Sequence, residues 1–160
     1  MSKLYLNNFS EVNLYKKMST RSEVTTQMIY GDSFSIIKKK NNWFKIKIKE
    51  DGYVGFVKKR NYHNYKKPSH KVSVIFAKTY KEPNFRNLSG KLTFGAKIKS
   101  VNKINGFIKF DNKWINLKES GMSEPEIAIF TRLAATKVGA TTKSNIVRHN
   151  YPLFHTKLIP

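Results

Sequence analysis

The chain has 160 residues, a net charge of +21 and no cysteine. This length allows one ordinary domain or two very small ones, and a hydrophobic content of 39% is enough for packed cores. Without cysteine, these residues form no disulfide, no thiolate zinc site and no cysteine nucleophile. The charge favours polyanionic partners such as nucleic acid, anionic lipid or an acidic wall polymer, although lysines also form ordinary solvated surfaces.

Residues 1–12 contain no apolar run long enough for a signal peptide, and no later segment approaches a membrane span. We therefore expect a cytoplasmic protein, or a protein of the cell envelope if it is exported by an unrecognised route. The sequence predicts no cofactor. It also predicts no metal site, because the histidines lack the spacing and the flanking carboxylates of metal ligands.

Strand patterns dominate the chain between residues 33 and 57. Apolar residues alternate there with polar ones, in the set Phe34, Ile36, Phe44, Ile46, Ile48, Val54 and Phe56. Asn41-Asn42 and Asp51-Gly52 separate the runs and are typical turn residues. The lysines between the apolar residues are therefore expected to share one outward face of a strand. Short, regularly punctuated strands of this kind predict an all-β fold built from small barrels.

An internal repeat divides the chain. Gly31 matches Gly95, Met28 matches Leu92, and Trp43 and Phe107 follow their glycines by the same interval. Upstream, we match residues 12–15 with residues 74–77. The predicted organisation is a first barrel at 10–60, a linker at 61–70, a second barrel at 71–118 and a tail at 119–160. Within the tail, Ser123, Pro125 and Glu126 predict the start of a short helix over about 124–137.

Several residues of the first copy stand at the spacing of a known family: Glu23, Val24, Gln27, Gly31, Trp43, Ile46, Gly52, Gly55, Phe56 and Val57. In these positions the copy resembles a bacterial SH3 (SH3b) domain, with Phe56 in place of the family's usual closing tryptophan. The resemblance implies a small SH3-like β-barrel, and the repeat implies two of them in tandem.

The junction and the second copy carry a more specific resemblance, in residues 68–72 (Pro-Ser-His-Lys-Val), Tyr80, Pro83, Asn84 and Phe94-Gly95. Together with the two copies, they resemble the N-terminal half of NlpC/P60-type cell-wall peptidases. In those enzymes a papain-like domain with a Cys-His pair follows the SH3b modules and cleaves peptidoglycan stem peptides. The present sequence has no cysteine. The resemblance therefore implies the binding half of the family's function and not the hydrolase.

We predict a non-catalytic module that binds peptidoglycan stem peptides or targets the wall, as a truncated relative of an NlpC/P60 hydrolase. Two alternatives stay open. The protein could be a basic SH3-like barrel that binds nucleic acid through its lysine-rich surface. It could also be a non-catalytic subunit that lends its barrels to a separately encoded NlpC/P60 peptidase domain.

The candidate ligand-binding residues are aromatic rings that could line a shallow groove, and carboxylates that could bind a cationic amine. They are Tyr15, Tyr30, Trp43, Tyr53, Phe56, Trp114, Glu50 and Asp51. Each has a structural alternative, since small barrels need rings to fill their cores and acids often stabilise turns. For Trp43 we favour the core. No catalytic residue is predicted.

Overall fold

The computed structural model describes residues 2–121, and the tail helix predicted over 124–137 lies outside these residues. The described residues form antiparallel strands and no helix. Both barrels belong to one compact unit, Met1–Met122. The prediction of an all-β fold built from two small barrels is confirmed.

The first barrel is a sheet of seven antiparallel strands in the order β3-β2-β6-β5-β4-β1-β7. Its strands are β1 (Leu4–Leu6), β2 (Glu11–Tyr15), β3 (Val24–Ile29), β4 (Ser33–Lys40), β5 (Trp43–Ile48), β6 (Val54–Lys58) and β7 (His63–Asn64). Strands β1 and β7 lie beyond the range 10–60 that the repeat predicts. They add to the sheet through β1, which pairs with β4 on one side and β7 on the other.

The second barrel has a five-stranded sheet in the order β10-β9-β14-β13-β12, and a separate pair, β8 with β11. Its strands are β8 (His70–Lys71), β9 (Phe76–Tyr80), β10 (Leu88–Thr93), β11 (Lys97–Ile98), β12 (Asn102–Ile104), β13 (Phe107–Phe110) and β14 (Lys113–Asn116). Strand β8 pairs with β11 as β1 pairs with β4, so each barrel closes in the same way.

Hydrogen bonds show the register of the repeat. Gly31 N donates to Asn7 O at 2.8 Å, and Gly95 N donates to Val72 O at 2.8 Å. The match of residues 12–15 with residues 74–77 is wrong, because Val12 pairs with Met28 whereas Leu92 pairs with Ala77. Val12 therefore corresponds to Ala77, and Tyr15 to Tyr80. The two segments were matched because both contain apolar residues in a similar order. The true correspondence follows from the backbone pairing of the strands, which sets their register.

The predicted alternation in the central hairpin is confirmed. Phe44, Ile46 and Ile48 point into the core of the first barrel, and Lys47 between them is exposed. Asn41 starts the turn before β5 with a φ of 51°, a left-handed conformation that asparagine tolerates. The core of each barrel is thus formed by one face of its strands, and the other face remains for contacts outside the barrel.

The two barrels meet at the turn between β3 and β4. Tyr30 of this turn packs in the core of the second barrel, where its ring makes an edge-to-face contact with Phe110 at 5.4 Å. At Gly31, with a φ of +85°, an added Cβ would lie 2.0 Å from the carbonyl oxygen of Lys97. Lys97 N in turn donates to Tyr30 O at 3.0 Å. This close approach needs a glycine at position 31.

Candidate functional site

The outer face of the first barrel carries three aromatic rings, Tyr15, Trp43 and Phe56, on β2, β5 and β6. Tyr15 and Phe56 are directly paired across β2 and β6. The rings of Tyr15 and Trp43 meet edge to face, with centroids 5.7 Å apart and an interplanar angle of 90°. All three side chains are half-buried, so each keeps part of its ring in solvent. We call these three residues the open aromatic face.

Two lysines flank the open aromatic face. Lys45 lies opposite Phe56 across β5 and β6, and its Nζ is 5.8 Å from the ring centroid. Lys58 lies opposite Trp43, with its Nζ at the same 5.8 Å from the Trp43 centroid. The rings provide surfaces for apolar and peptide groups, and the ammonium groups can pair with carboxylates. This combination suits a peptide with negative charge.

The preference for Trp43 in the core is wrong. Trp43 belongs to the same outward face of β5 as Lys45, while the neighbouring Phe44 is buried. The error has a local cause, because Trp43 follows the turn at Asn41-Asn42 and the alternation on its N-terminal side is interrupted there. The register of β5 with β6 sets its side of the sheet.

The second barrel repeats this arrangement with buried rings. Tyr80, Phe107 and Trp114 form a cluster in which they are only 3%, 4% and 8% exposed. Phe85, from the loop between β9 and β10, packs on this cluster. We call Tyr80, Phe107 and Trp114 the covered aromatic face. Trp114, a predicted groove residue, therefore lies on the face that corresponds to the open aromatic face but is not accessible there.

Tyr30 and Glu50, also predicted as groove residues, lie at the junction of the barrels. The Tyr30 hydroxyl donates to Asp111 of the second barrel. Glu50 accepts hydrogen bonds from the backbone and the side chain of Ser33 and forms an ion pair of 2.7 Å with Lys97. Both residues thus make structural contacts between or within the barrels.

Lys97 is the central charge of the junction, and sequence reasoning missed it. Its Nζ lies 3.1 Å from Asp32 and 2.7 Å from Glu50. Burial alone lowers the pKa of Lys97, but the attraction of Asp32 and Glu50 outweighs it and raises the pKa above the usual value. For Asp32, burial raises the pKa although Lys97 opposes it. Only the packing of the two copies brings these groups together, so no local pattern indicates them.

Asp51 and Tyr53 lie in the turn between β5 and β6. Asp51 accepts a hydrogen bond from Tyr53 N at 3.0 Å, and the Tyr53 ring is 53% exposed. Trp43 stands at the opposite end of β5, roughly 16 Å away along a strand of this length. The structure therefore brings Tyr15, Trp43 and Phe56 together and leaves the other five candidate residues apart from them.

A cleft of about 410 Å³ lies between the two barrels. Amide and basic side chains form much of its lining, among them Asn8, Asn61, His63, Lys66 and Lys99. The tyrosines in its lining, Tyr30 and Tyr62, are already packed in the two barrel cores. The cleft therefore lacks the accessible rings that the open aromatic face presents.

Residues 2–121 contain no cluster of three or more His, Cys, Asp or Glu side chains placed to hold a metal ion. Within the same part of the chain, no helical segment reaches the length and apolarity that a bilayer crossing requires.

The first barrel has a counterpart among known bacterial SH3 domains. A family model described as the bacterial dipeptidyl-peptidase SH3 domain matches residues 14–61. These residues are therefore a bacterial SH3 domain, and the predicted resemblance is confirmed. No curated protein sequence matches the chain.

The solved structures that are similar to the chain include two NlpC proteins. The first is an NlpC/P60 family protein from Bacillus cereus ATCC 10987, with 12% identity, a TM-score of 0.58, and coverage of 72% of this chain and 55% of that protein. The second is NlpC2 from Trichomonas vaginalis, with 14% identity, a TM-score of 0.33, and coverage of 74% and 47%. The chain thus spans about half the length of each. The first likeness establishes the shared fold.

Proposed function

We propose that this protein is a non-catalytic SH3b module that binds peptidoglycan stem peptides through the open aromatic face of the first barrel. The observation that carries the proposal is that Tyr15, Trp43 and Phe56 are gathered on one face and remain accessible. Half-buried rings on a rigid sheet provide contact area at a low cost in side-chain entropy. A core role alone would not leave them in solvent.

The charges of this face support a peptide ligand with carboxylates. Lys45 and Lys58 stand beside the rings, so a carboxylate can pair with an ammonium group while the neighbouring peptide group packs on an aromatic surface. Stem peptides of peptidoglycan carry free carboxylates. The shared fold with an NlpC/P60 family protein supports a cell-wall setting for such a ligand.

The proposal assigns binding and targeting to these 160 residues, which contain no cysteine and so cannot themselves supply the thiolate nucleophile of a cysteine peptidase. Bound to the wall in this way, the module would place a hydrolase domain of another chain next to its substrate. That arrangement requires the same site and is part of the same proposal.

The direct test is calorimetry with a purified muropeptide, together with pull-down on sacculi that are free of nucleic acid. We expect saturable binding to both, and a loss of affinity of about tenfold or more in Trp43→Ala, because a central aromatic contact dominates small binding sites. Trp114→Phe is the control, since its ring is covered, and its affinity for the free muropeptide should equal that of the wild type.

Two results would contradict the proposal. One is the absence of binding to muropeptide and sacculi at low salt. The other is a Trp43→Ala variant that is folded by circular dichroism and binds as tightly as the wild type. Binding that disappears at moderate salt and is equal for RNA and sacculi would indicate delocalised lysine attraction instead.

A further inference from the structure

The outer faces of the two barrels are built with the same geometry. Tyr80 and Phe107 meet edge to face at 5.8 Å and 83°, as Tyr15 and Trp43 do at 5.7 Å and 90°. The flanking lysine is repeated as well, because Lys109 lies opposite Trp114 with its Nζ 5.7 Å from that ring. The second barrel therefore has the parts of the open aromatic face at equivalent positions.

The loop between β9 and β10 adds a ring, Phe85, to the covered aromatic face, whereas residues 16–23 between β2 and β3 contain no aromatic residue. The Phe85 ring lies 4.9 Å from Phe107 and 5.6 Å from Tyr80, measured between centroids. It occupies the place over the rings that a ligand of the first barrel would take. With this cover, Tyr80, Phe107 and Trp114 are nearly excluded from solvent.

Phe85 itself is poorly buried. Its side chain is 59% exposed, although the rings beneath it are not. Within residues 81–87, the Glu82 carboxylate accepts hydrogen bonds from Asn84 and Asn87, and Lys81 N donates to Asn87 O. The loop thus has hydrogen bonds of its own that do not involve the Phe85 ring. Moving this ring aside exposes little additional surface of Phe85 itself, and a ligand ring or peptide plane can cover the rings beneath it in its place.

We propose that the covered aromatic face is a second binding site for the same class of ligand, a peptide with carboxylates, and that Phe85 occupies it in the free protein. The inference rests on the proposed function of the first barrel. Positive charge favours this ligand, because Lys109 flanks the rings and the exposed Lys78 shares the outward side of β9 with Tyr80. The Glu119 carboxylate nearby is engaged by the Tyr80 hydroxyl at 3.0 Å.

Two sites on one compact unit would matter on a polymeric ligand. After the first barrel binds a stem peptide, a second peptide of the same wall is present at high effective concentration. It can then displace Phe85 where a free peptide at low concentration does not. The protein would bind intact wall more tightly than single muropeptides.

The test is the stoichiometry of muropeptide binding by calorimetry. We expect one site of measurable affinity in the wild type and two in Phe85→Ala. The matched control is Phe76→Ala, because Phe76 is a phenylalanine of the same barrel with a comparable exposure of 52% and its ring contacts Lys91. It should keep one site.

A double variant separates this inference from the proposed function. Trp43→Ala with Phe85→Ala lacks the first site and has Trp114 as its only tryptophan, so Trp114 fluorescence reports on the second site directly. Binding here supports the inference even if the wild type does not bind. A different result would overturn the inference and leave the proposed function standing. In that result the wild type binds muropeptide, Phe85→Ala still shows one site, and the folded double variant does not bind.

A variant that keeps Phe85 makes the test independent of whether the Phe85→Ala variants fold. Trp43→Phe keeps Phe85 and leaves Trp114 as the reporter. At high muropeptide concentration we expect its emission to change as Phe85 is displaced. An unchanged emission at saturation of the first site and far above it would overturn the inference.

Discussion

The two barrels share one strand pattern, but equivalent residues have different roles in them. Tyr30 of the first barrel fills part of the second barrel's core, whereas the matching Phe94 stays half-buried outside that core. The rings on the outer face are open in the first barrel and covered by Phe85 in the second. The difference shows that the second barrel depends on the first for part of its core, and that the accessible aromatic face belongs to the first barrel.

The tightest contact between the barrels offers the strongest way to break this dependence. Gly31→Ala places a Cβ against the Lys97 carbonyl at a φ of +85°. We expect the free energy of unfolding to fall by about 4 kcal/mol, from overpacking and backbone strain together. Urea unfolding followed by Trp114 fluorescence in a Trp43→Phe background measures the second barrel specifically.

The control for this substitution is Gly52→Ala. Gly52 has a similar φ of +77°, but its nearest neighbour atom is Lys47 Cε at 3.9 Å. Only the strain of the left-handed conformation remains, about 1–2 kcal/mol. Equal losses in the two variants would contradict the importance of the junction.

Tyr30→Ala tests the asymmetry of the cores. Removal of this large ring from the second barrel's core should lower the free energy of unfolding by about 3 kcal/mol. The loss should appear in the unfolding of the second barrel, followed by Trp114, more than in that of the first, followed by Trp43 in a Trp114→Phe background. Tyr53→Ala makes the same change on a ring that is 53% exposed, and should alter stability by less than about 0.5 kcal/mol. An equal loss of stability reported by Trp114 and by Trp43 would contradict the conclusion that Tyr30 belongs mainly to the core of the second barrel.

Alkaline pH tests the charged part of the junction. The folded state raises the pKa of Lys97 above the usual 10.5, so its ion pairs stabilise the protein fully below pH 10.5 and are lost as the pH rises through the folded pKa. Burial and the Asp111 hydrogen bond raise the pKa of Tyr30 from 10.0, and its contribution is lost in the same direction. Stability should therefore fall steeply above about pH 10.

Lys97→Met identifies the lysine's share of this effect. At pH 8 we expect the free energy of unfolding to fall by about 2 kcal/mol, because Asp32 and Glu50 lose their cation in a partly buried position. The difference in the free energy of unfolding between this variant and the wild type should become smaller above pH 10.5, because the wild type then loses its own ion pairs. Lys47→Met, at an exposed lysine of β5, is the control and should change little. A difference that is constant from pH 8 to 11.5 would contradict the ion-pair explanation.

The sequence predicts those parts of the fold that local pattern controls. Local sequence was enough to predict the alternation in β5, the turn at Asn41 and the matching glycines Gly31 and Gly95. A strand has a two-residue period, and unusual backbone conformations favour particular residue types, so both can be recognised in the sequence. The gathering of Tyr15, Trp43 and Phe56 depends on strand register. Individual residues could be proposed, but their common face could not be derived before β2 was placed beside β6.

Contacts between the copies were beyond prediction for a physical reason. Tyr30 has the same pattern as Phe94, and nothing local distinguishes a ring that enters the neighbouring barrel's core from one that stays outside a core. Lys97 is one of many lysines until Asp32 and Glu50 are brought to it. Phe85 follows Pro83 and Asn84 in a loop whose direction only the folded chain sets.

The insertion of Tyr30 also has a consequence for the history of the molecule. A duplicated domain begins as an interchangeable part, which can be deleted, reordered or transferred alone. The second barrel is not such a part, because its core contains a ring of its neighbour and its close contact at position 31 needs a glycine. We therefore expect gene rearrangements to move these two barrels together and in this order.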